Sequence, residues 1–287
     1  MKIPLATSTS VFALLVLTFA SSCSKTSSYN TSSGNNPGVA DIVLTNNAIF
    51  GNIITDKNGR SLYFYFNDAG TTSNCTTGCE TAWPAFLALN PGVSPGLNES
   101  DFGTITRADG SMQTTYKGWP LYYFAGDSKV ADVNGDKVDS LWAVAKPDYT
   151  VMVANAQLIG LDGVDYNEQS VAGAGISQFI TDDHGRTLYL FSGDASKQNR
   201  FTNSDFSNNA LWPIDEVSSI GSVPSVLDRS QFSSINVFGR TQLSCKDHPL
   251  YYFGQDNSKK GSTKGVSFPT PGAALWKVIN SSTPVLQ

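Results

Sequence analysis

One seven-residue pattern occurs four times in this chain, and it limits the fold more than any other feature. It runs Leu62-Tyr63-Phe64-Tyr65-Phe66-Asn67-Asp68, then Leu121-Tyr122-Tyr123-Phe124-Ala125-Gly126-Asp127. It returns as Leu188-Tyr189-Leu190-Phe191-Ser192-Gly193-Asp194 and as Leu250-Tyr251-Tyr252-Phe253-Gly254-Gln255-Asp256. The common form is Leu-Tyr-x-aromatic-x-x-Asp, with the aspartates 59, 67 and 62 residues apart. In a strand, alternate side chains face opposite ways. Leu62, Phe64 and Phe66 therefore share one face, and Tyr63 and Tyr65 the other. With both faces apolar, each copy is expected to be a strand covered on both sides.

The surrounding sequence repeats in the same order. Lys57-Asn58-Gly59-Arg60 is matched by Asp183-His184-Gly185-Arg186, and Ala82-Trp83-Pro84 by Leu211-Trp212-Pro213. Gln113-Thr114-Thr115-Tyr116-Lys117 is matched by Gln242-Leu243-Ser244-Cys245-Lys246, and Leu141-Trp142 by Leu275-Trp276. A tryptophan follows each motif aspartate after 15, 15, 18 and 20 residues. Two modules, each of two half-units, follow from this self-comparison: residues 39–160 and 161–287. Turn signals are frequent, β-branched runs are short and no helical period of useful length occurs, so the class is all-β, a tandem antiparallel β-repeat. The Asn58-Gly59 pair predicts a hairpin turn with positive φ at both central positions. Four units of this size are compatible with a four-bladed, propeller-like closure.

The N-terminal segment reads as an export signal. Lys2 is followed by the apolar run 11–20, which is too short to span a bilayer, then Ala20-Ser21-Ser22 and Cys23. This resembles a bacterial lipoprotein box, which implies a signal peptide over 1–22 and lipid attachment at Cys23. The alternative is an ordinary secretory signal that leaves Cys23 incidental. Residues 23–38 are mostly Ser, Thr, Asn and Gly and read as a flexible tether. No acidic residue flanks Cys23, which favours a periplasm-facing anchor on the outer membrane over surface display. The expected membrane partner is reached through that lipid. With 40% hydrophobic and 15% charged residues the chain is no disordered protein. Its net charge of -5 and the absence of a basic run argue against nucleic acid.

Candidate chemistry is sparse. Cys75 and Cys79 form a C-x3-C pair, read first as a local disulfide, second as a redox-active pair and last as metal ligands. Their counterparts in the second module are Ser204 and Asn208, so both are absent together. Cys245 is left buried and free, or paired with one of the other two. His184 and His248 have no companion nucleophile in sequence and read as structural or surface residues. Asp132-Val133-Asn134-Gly135-Asp136 resembles a calcium loop with its Gly one place early and no Glu at the twelfth position, so a turn is preferred. Tyr63, Asp68, Tyr122, Asp127, Tyr189, Asp194, Tyr251 and Asp256 recur in every unit. They are expected to be structural, with each Asp forming a turn or pairing with the basic residue before the strand. No cofactor, metal or catalytic set is expected.

The first module resembles the bacterial "secreted repeat of unknown function", the lipoproteins with a Tyr-x-aromatic-x-x-Asp motif. The resemblance rests on Gly59-Arg60-Ser61-Leu62-Tyr63, Asp68, Asn74-Cys75, Gly78-Cys79, Trp83-Pro84, Arg107-Ala108-Asp109-Gly110-Ser111-Met112-Gln113, Tyr116-Lys117-Gly118-Trp119-Pro120-Leu121-Tyr122 and Leu141-Trp142. It implies an envelope protein without an established activity. The expectation is a non-enzymatic binding or structural module, its protein or glycan partner unspecified. The alternatives are an electron-transfer or thiol-redox partner using Cys75 and Cys79, and a sugar binder whose motif aromatics line a cleft.

Overall fold

The computed structural model of the protein describes residues 40–287; the signal segment 1–22, Cys23 and the tether to residue 38 lie outside the described residues. The first module comprises β1 (Ile42–Asn47), β2 (Gly51–Asp56), β3 (Tyr63–Tyr65), a four-residue helix α1 (Cys79–Ala82), β4 (Phe102–Thr106), β5 (Met112–Tyr116), β6 (Trp119–Pro120) and β7 (Trp142–Val144). The second comprises β8 (Val151–Ile159), β9 (Asp165–Tyr166), β10 (Ile176–Asp182), β11 (Tyr189–Phe191), β12 (Phe232–Val237), β13 (Arg240–Cys245), β14 (His248–Pro249) and β15 (Trp276–Val278). The all-β reading stands. Among the described residues no helix is long and apolar enough to cross a membrane.

Each module repeats one topology. A leading antiparallel pair (β1–β2, then β8–β10, with β9 added at the far end of β8) is followed by the motif strand paired with the last strand (β3–β7, then β11–β15). A three-stranded sheet completes it (β4-β5-β6, then β12-β13-β14). β8 lies ahead of residue 161 in sequence yet pairs along its length with β10, from Val151↔Asp182 to Gln157↔Ile176. It thus does for Asp182 what Ile42 in β1 does for Asp56. The sheets have two or three strands each, so the described residues form no four-stranded propeller blade. The half-units instead meet at their motifs. Tyr63 and Tyr122 exchange N–H···O bonds of 2.8 and 3.0 Å, and Tyr189 and Tyr251 do the same at 2.8 and 2.9 Å.

The turn after β2 is made differently from the expected one. Only Gly59 takes positive φ, at 80°, and Gly185 matches it at 82°. The residue that closes the turn is the aspartate before it: Asp56 Oδ1 accepts from the N–H groups of Asn58 and Arg60, and Asp182 Oδ1 from those of His184 and Arg186. A short carboxylate satisfying two backbone donors stabilises the bend without a second left-handed residue.

Of the four motif copies expected to be strands, only the first and third are (β3 and β11); the second and fourth make isolated bridges at Tyr122 and Tyr251, because they follow directly on β6 and β14. Both faces of the first motif strand are covered. Leu62, Tyr63 and Phe66 have no exposed surface and Phe64 has 2%. The largest apolar cluster draws on both modules, with Phe64 and Phe66 from the first packed in it alongside Met152 and Phe179 from the second. The modules also meet through polar groups. Lys117 Nζ donates to Asp183 at 2.6 Å, Trp119 Nε1 donates to the Asp183 carbonyl at 3.1 Å, and Lys260 lies 3.7 Å over the Trp119 ring.

Candidate functional site

The repeated tyrosines and aspartates consume one another. Tyr63 Oη donates to Asp127 and Tyr122 Oη to Asp68, both at 2.6 Å; Tyr189 donates to Asp256 at 2.7 Å and Tyr251 to Asp194 at 2.9 Å. Each tyrosine thus reaches the aspartate of the other half-unit. The second oxygen of each carboxylate caps the loop that follows it, accepting from the N–H of Asn74, Asn134, Arg200 or Lys264. Turn formation is therefore as expected, but pairing with the basic residue before the strand is not. Burial makes the phenol the better partner, because it satisfies the oxygen without bringing a second charge out of water. Between the tyrosines the tryptophans stack face to face, Trp83 on Trp142 at 3.6 Å and Trp212 on Trp276 at 3.5 Å. The tyrosine edges abut them at 5.2–5.5 Å. All four motif tyrosines are fully buried, so these four offer no platform for a sugar.

Cys75 and Cys79 are joined in a disulfide. Its loop is held by Arg107, which the sequence reading did not single out beyond the family motif. Buried Arg107 donates through Nη1 to Ser73 and Gln113, and through Nη2 to the Cys75 carbonyl and Glu80. In the second module Val237 stands in the place of Arg107 at the end of the equivalent strand, so arginine and disulfide are missing together. Cys245 is free and buried, its thiol pushed up to about 12 by burial. The carboxylates of the Asp132–Asp136 loop are taken up by groups of the chain itself. Asp132 accepts from the N–H groups of Ser128 and Lys129, and Asp136 from the N–H of Val144 and the Ser225 hydroxyl. His184 pairs with Asp183 at 2.8 Å, and that bond raises its pKa; His248 Nε2 faces the Pro284 carbonyl at 3.1 Å.

The modules differ most tellingly at one core position. Phe86 N–H donates to the Leu121 carbonyl and its own carbonyl accepts from Thr114; Asp215 does the same with Leu250 and Leu243. The two residues occupy the same backbone position, each three residues after the stacked tryptophan. Phe86 packs edge-on against Tyr123 at 5.5 Å, over which Arg60 lies at 4.1 Å. In the second module Arg186 lies over Tyr252 at 4.3 Å in the same way, but a carboxylate replaces the phenyl ring. Asp215 is 4% exposed and lines a groove of about 490 Å³ together with Asp182, Asp183, Tyr252, Lys117 and Tyr149.

Proton inventory here is constrained. Tyr252 Oη lies 2.8 Å from Asp215 Oδ1 and 3.2 Å from Asp182 Oδ2, and it receives an N–H from Arg186 at 3.1 Å. One phenolic proton cannot serve both carboxylates. Asp182 is already met by Arg186 Nε at 2.5 Å and by two backbone N–H groups. Asp215 has no other donor among the described residues, and burial pushes its pKa to about 7. When Asp215 is protonated it donates to Tyr252, which donates to Asp182; when it ionises, the phenol turns to it. Asp183 is held below the usual carboxylate range: burial opposes this, but bonds from His184 and Lys117 outweigh it. The polar-for-apolar change at Asp215 was visible in the internal alignment of Trp83-Pro84 with Trp212-Pro213, but its burial was not.

The comparisons with known proteins agree with the repeat architecture. Residues 46–86 and 103–146 match a family model described as "secreted repeat of unknown function". The first match spans β2 and β3 to Phe86, and the second spans β4 through β7, one for each half-unit. No curated protein and no solved structure matches the chain. The two half-units of the first module are thus each similar to the secreted repeat of unknown function.

Proposed function

We propose that the chain is a lipid-anchored, non-enzymatic module of the bacterial cell envelope that binds through the groove of its second module. The observation that carries this is Asp215, a buried carboxylate where the duplicate fold accepts Phe86. The fold has no need of a charge there, and a charge in a groove is a means of recognition. A non-enzymatic role is favoured because the repeated tyrosines and aspartates are engaged with one another rather than with a cleft. Anchoring rests on Cys23 after the apolar run 11–20.

Mass spectrometry of the mature protein isolated from the envelope tests the anchor; an acylated Cys23 is expected, and a free Cys23 thiol overturns it. Native mass spectrometry of the released protein tests binding. A small adduct that Asp215→Phe loses supports it, and a bare protein in both forms overturns it. A thiol-redox role is the second reading, favoured by the packing of Cys75 and Cys79 with the Trp83 and Trp142 stack in one apolar cluster. Thiol titration across applied potentials discriminates, because a structural disulfide resists mild reduction and a redox pair cycles.

A further inference from the structure

We infer that Asp215 and its groove form a docking point for a primary ammonium group, supplied by a small polyamine or by a lysine side chain of a peptide. This rests on the reading of the chain as a binding module. Three observations lead to the ammonium. First, Asp215 forms no ion pair among the described residues, and its Oδ2 has no hydrogen-bond donor there although the side chain is nine-tenths buried and faces the groove. The neighbouring cations are committed elsewhere, Arg186 to Asp182 and Lys117 to Asp183. A buried carboxylate of this kind gains most from a donor that brings its own positive charge.

Second, the groove carries five carboxylates, of which Asp148 pairs with Lys146, Asp182 with Arg186, Asp183 with Lys117 and Glu216 with Arg240, so that Asp215 alone brings a charge without an ion-pair partner among the described residues. That charge attracts cations and repels anions. The serine hydroxyls of Ser218 and Ser219 at the rim add acceptors for the remaining ammonium hydrogens. Third, the donor set does not suit a metal ion. A hard divalent cation needs several convergent oxygens. The one such cluster among the described residues is Asp182, Asp183 and His184, whose ligand atoms are already bonded to Arg186, Lys117 and each other. An ammonium needs only one free carboxylate oxygen and a few hydroxyls, which is what the groove supplies.

Isothermal titration of the full mature protein tests this with three probes: spermidine, trilysine, and trilysine acetylated on every amine. Binding of spermidine or trilysine is expected, with no binding of the acetylated peptide. Tighter binding of spermidine identifies a small polyamine as the source, and tighter binding of trilysine a peptide. Asp215→Asn and Asp215→Phe are each expected to weaken the amine by at least about tenfold. Asp215→Phe installs the residue that the first module carries at this position, so it is expected to fold, as circular dichroism would verify. Glu99→Gln removes the same unit charge from an exposed position outside the groove and is expected to change affinity by less than about twofold. No binding by either amine, full binding by Asp215→Phe, or equal loss in Glu99→Gln overturns the assignment. Those failures are separable from failure of the binding-module reading, which shows as a bare native mass in protein released from the envelope.

Discussion

Tyr122 donates its phenolic proton to Asp68 at 2.6 Å across 54 residues of chain, and this bond joins the two half-units of the first module. Its mirror is the bond from Tyr63 to Asp127, also 2.6 Å. The motif therefore works as a reciprocal clasp. Each half-unit supplies one donor and one acceptor, and neither is satisfied alone.

A double-mutant cycle checks the clasp. Tyr122→Phe with Asp68→Asn should show a coupling of about 1–2 kcal/mol in urea denaturation. Tyr122→Phe with Asp127→Asn should show almost none. Asp68 is fully buried whereas Asp127 is half-buried, so Asp68→Ala should cost about 3 kcal/mol and Asp127→Ala distinctly less. Equal coupling for both pairs would remove the crossed arrangement.

Thiol labelling checks the cysteines. In the folded protein an alkylating reagent should leave Cys75, Cys79 and Cys245 unmodified, since two are bonded and the third is buried with a strongly raised pKa. Unfolding without reductant should add one label among these three, and unfolding with reductant should add three. Cys75→Ser with Cys79→Ser should destabilise the fold by roughly 2 kcal/mol, the chain-entropy value for so short a loop.

The pH dependence of stability isolates Asp215. Its folded pKa lies near 7, above the ordinary carboxylate value, so between about 4 and 7 the folded chain holds a proton that the unfolded chain has lost. Stability attributable to Asp215 is then highest at the acidic end and declines as pH rises through 7, by roughly 2–4 kcal/mol. Asp194, pushed to about 6 by burial, contributes in the same direction, so the total curve is not diagnostic. The difference between wild type and Asp215→Phe is. The variant's thermal midpoint should fall less over this window, and parallel curves would count against a buried, cation-free Asp215.

The tryptophan stacks should be interchangeable in energy. Trp142→Ala and Trp276→Ala remove rings with the same stacking partner and the same edge-on tyrosine. Both should cost about 3–5 kcal/mol in chemical denaturation. A cost confined to one module would show that the second has lost the internal symmetry its geometry displays.

The alternation Leu62, Tyr63, Phe64 was enough to place the motif strand between two covered faces, because side-chain direction in a strand is a local property. The repeat order was enough to show that one strand order occurs twice, but not that β8, ahead of residue 161, pairs with β10. The absence of both cysteines from the second module was likewise readable. For the motif aspartates, turn formation was readable and their tyrosine partners were not: the alternative of pairing with the basic residue is not realised, since Arg60 lies over Tyr123 and Lys117 crosses to Asp183. The repeat count also left strand pairing open, and the motif strands pair across half-units instead of extending into blades.

The division between chain and fold follows from the range of the interactions. Periodicity, turn residues and duplication are written along the chain, and they decide that this is an all-β protein of repeated, doubly covered strands. Hydrogen-bond partners 54 to 67 residues apart depend on how the half-units dock. So does the environment of Asp215, an ordinary acidic residue in sequence that becomes a buried carboxylate without a cation only where the β13–β14 segment, Tyr252 and the Asp182 turn converge. Burial turns a common side chain into a costly one, and burial is a property of the assembled fold.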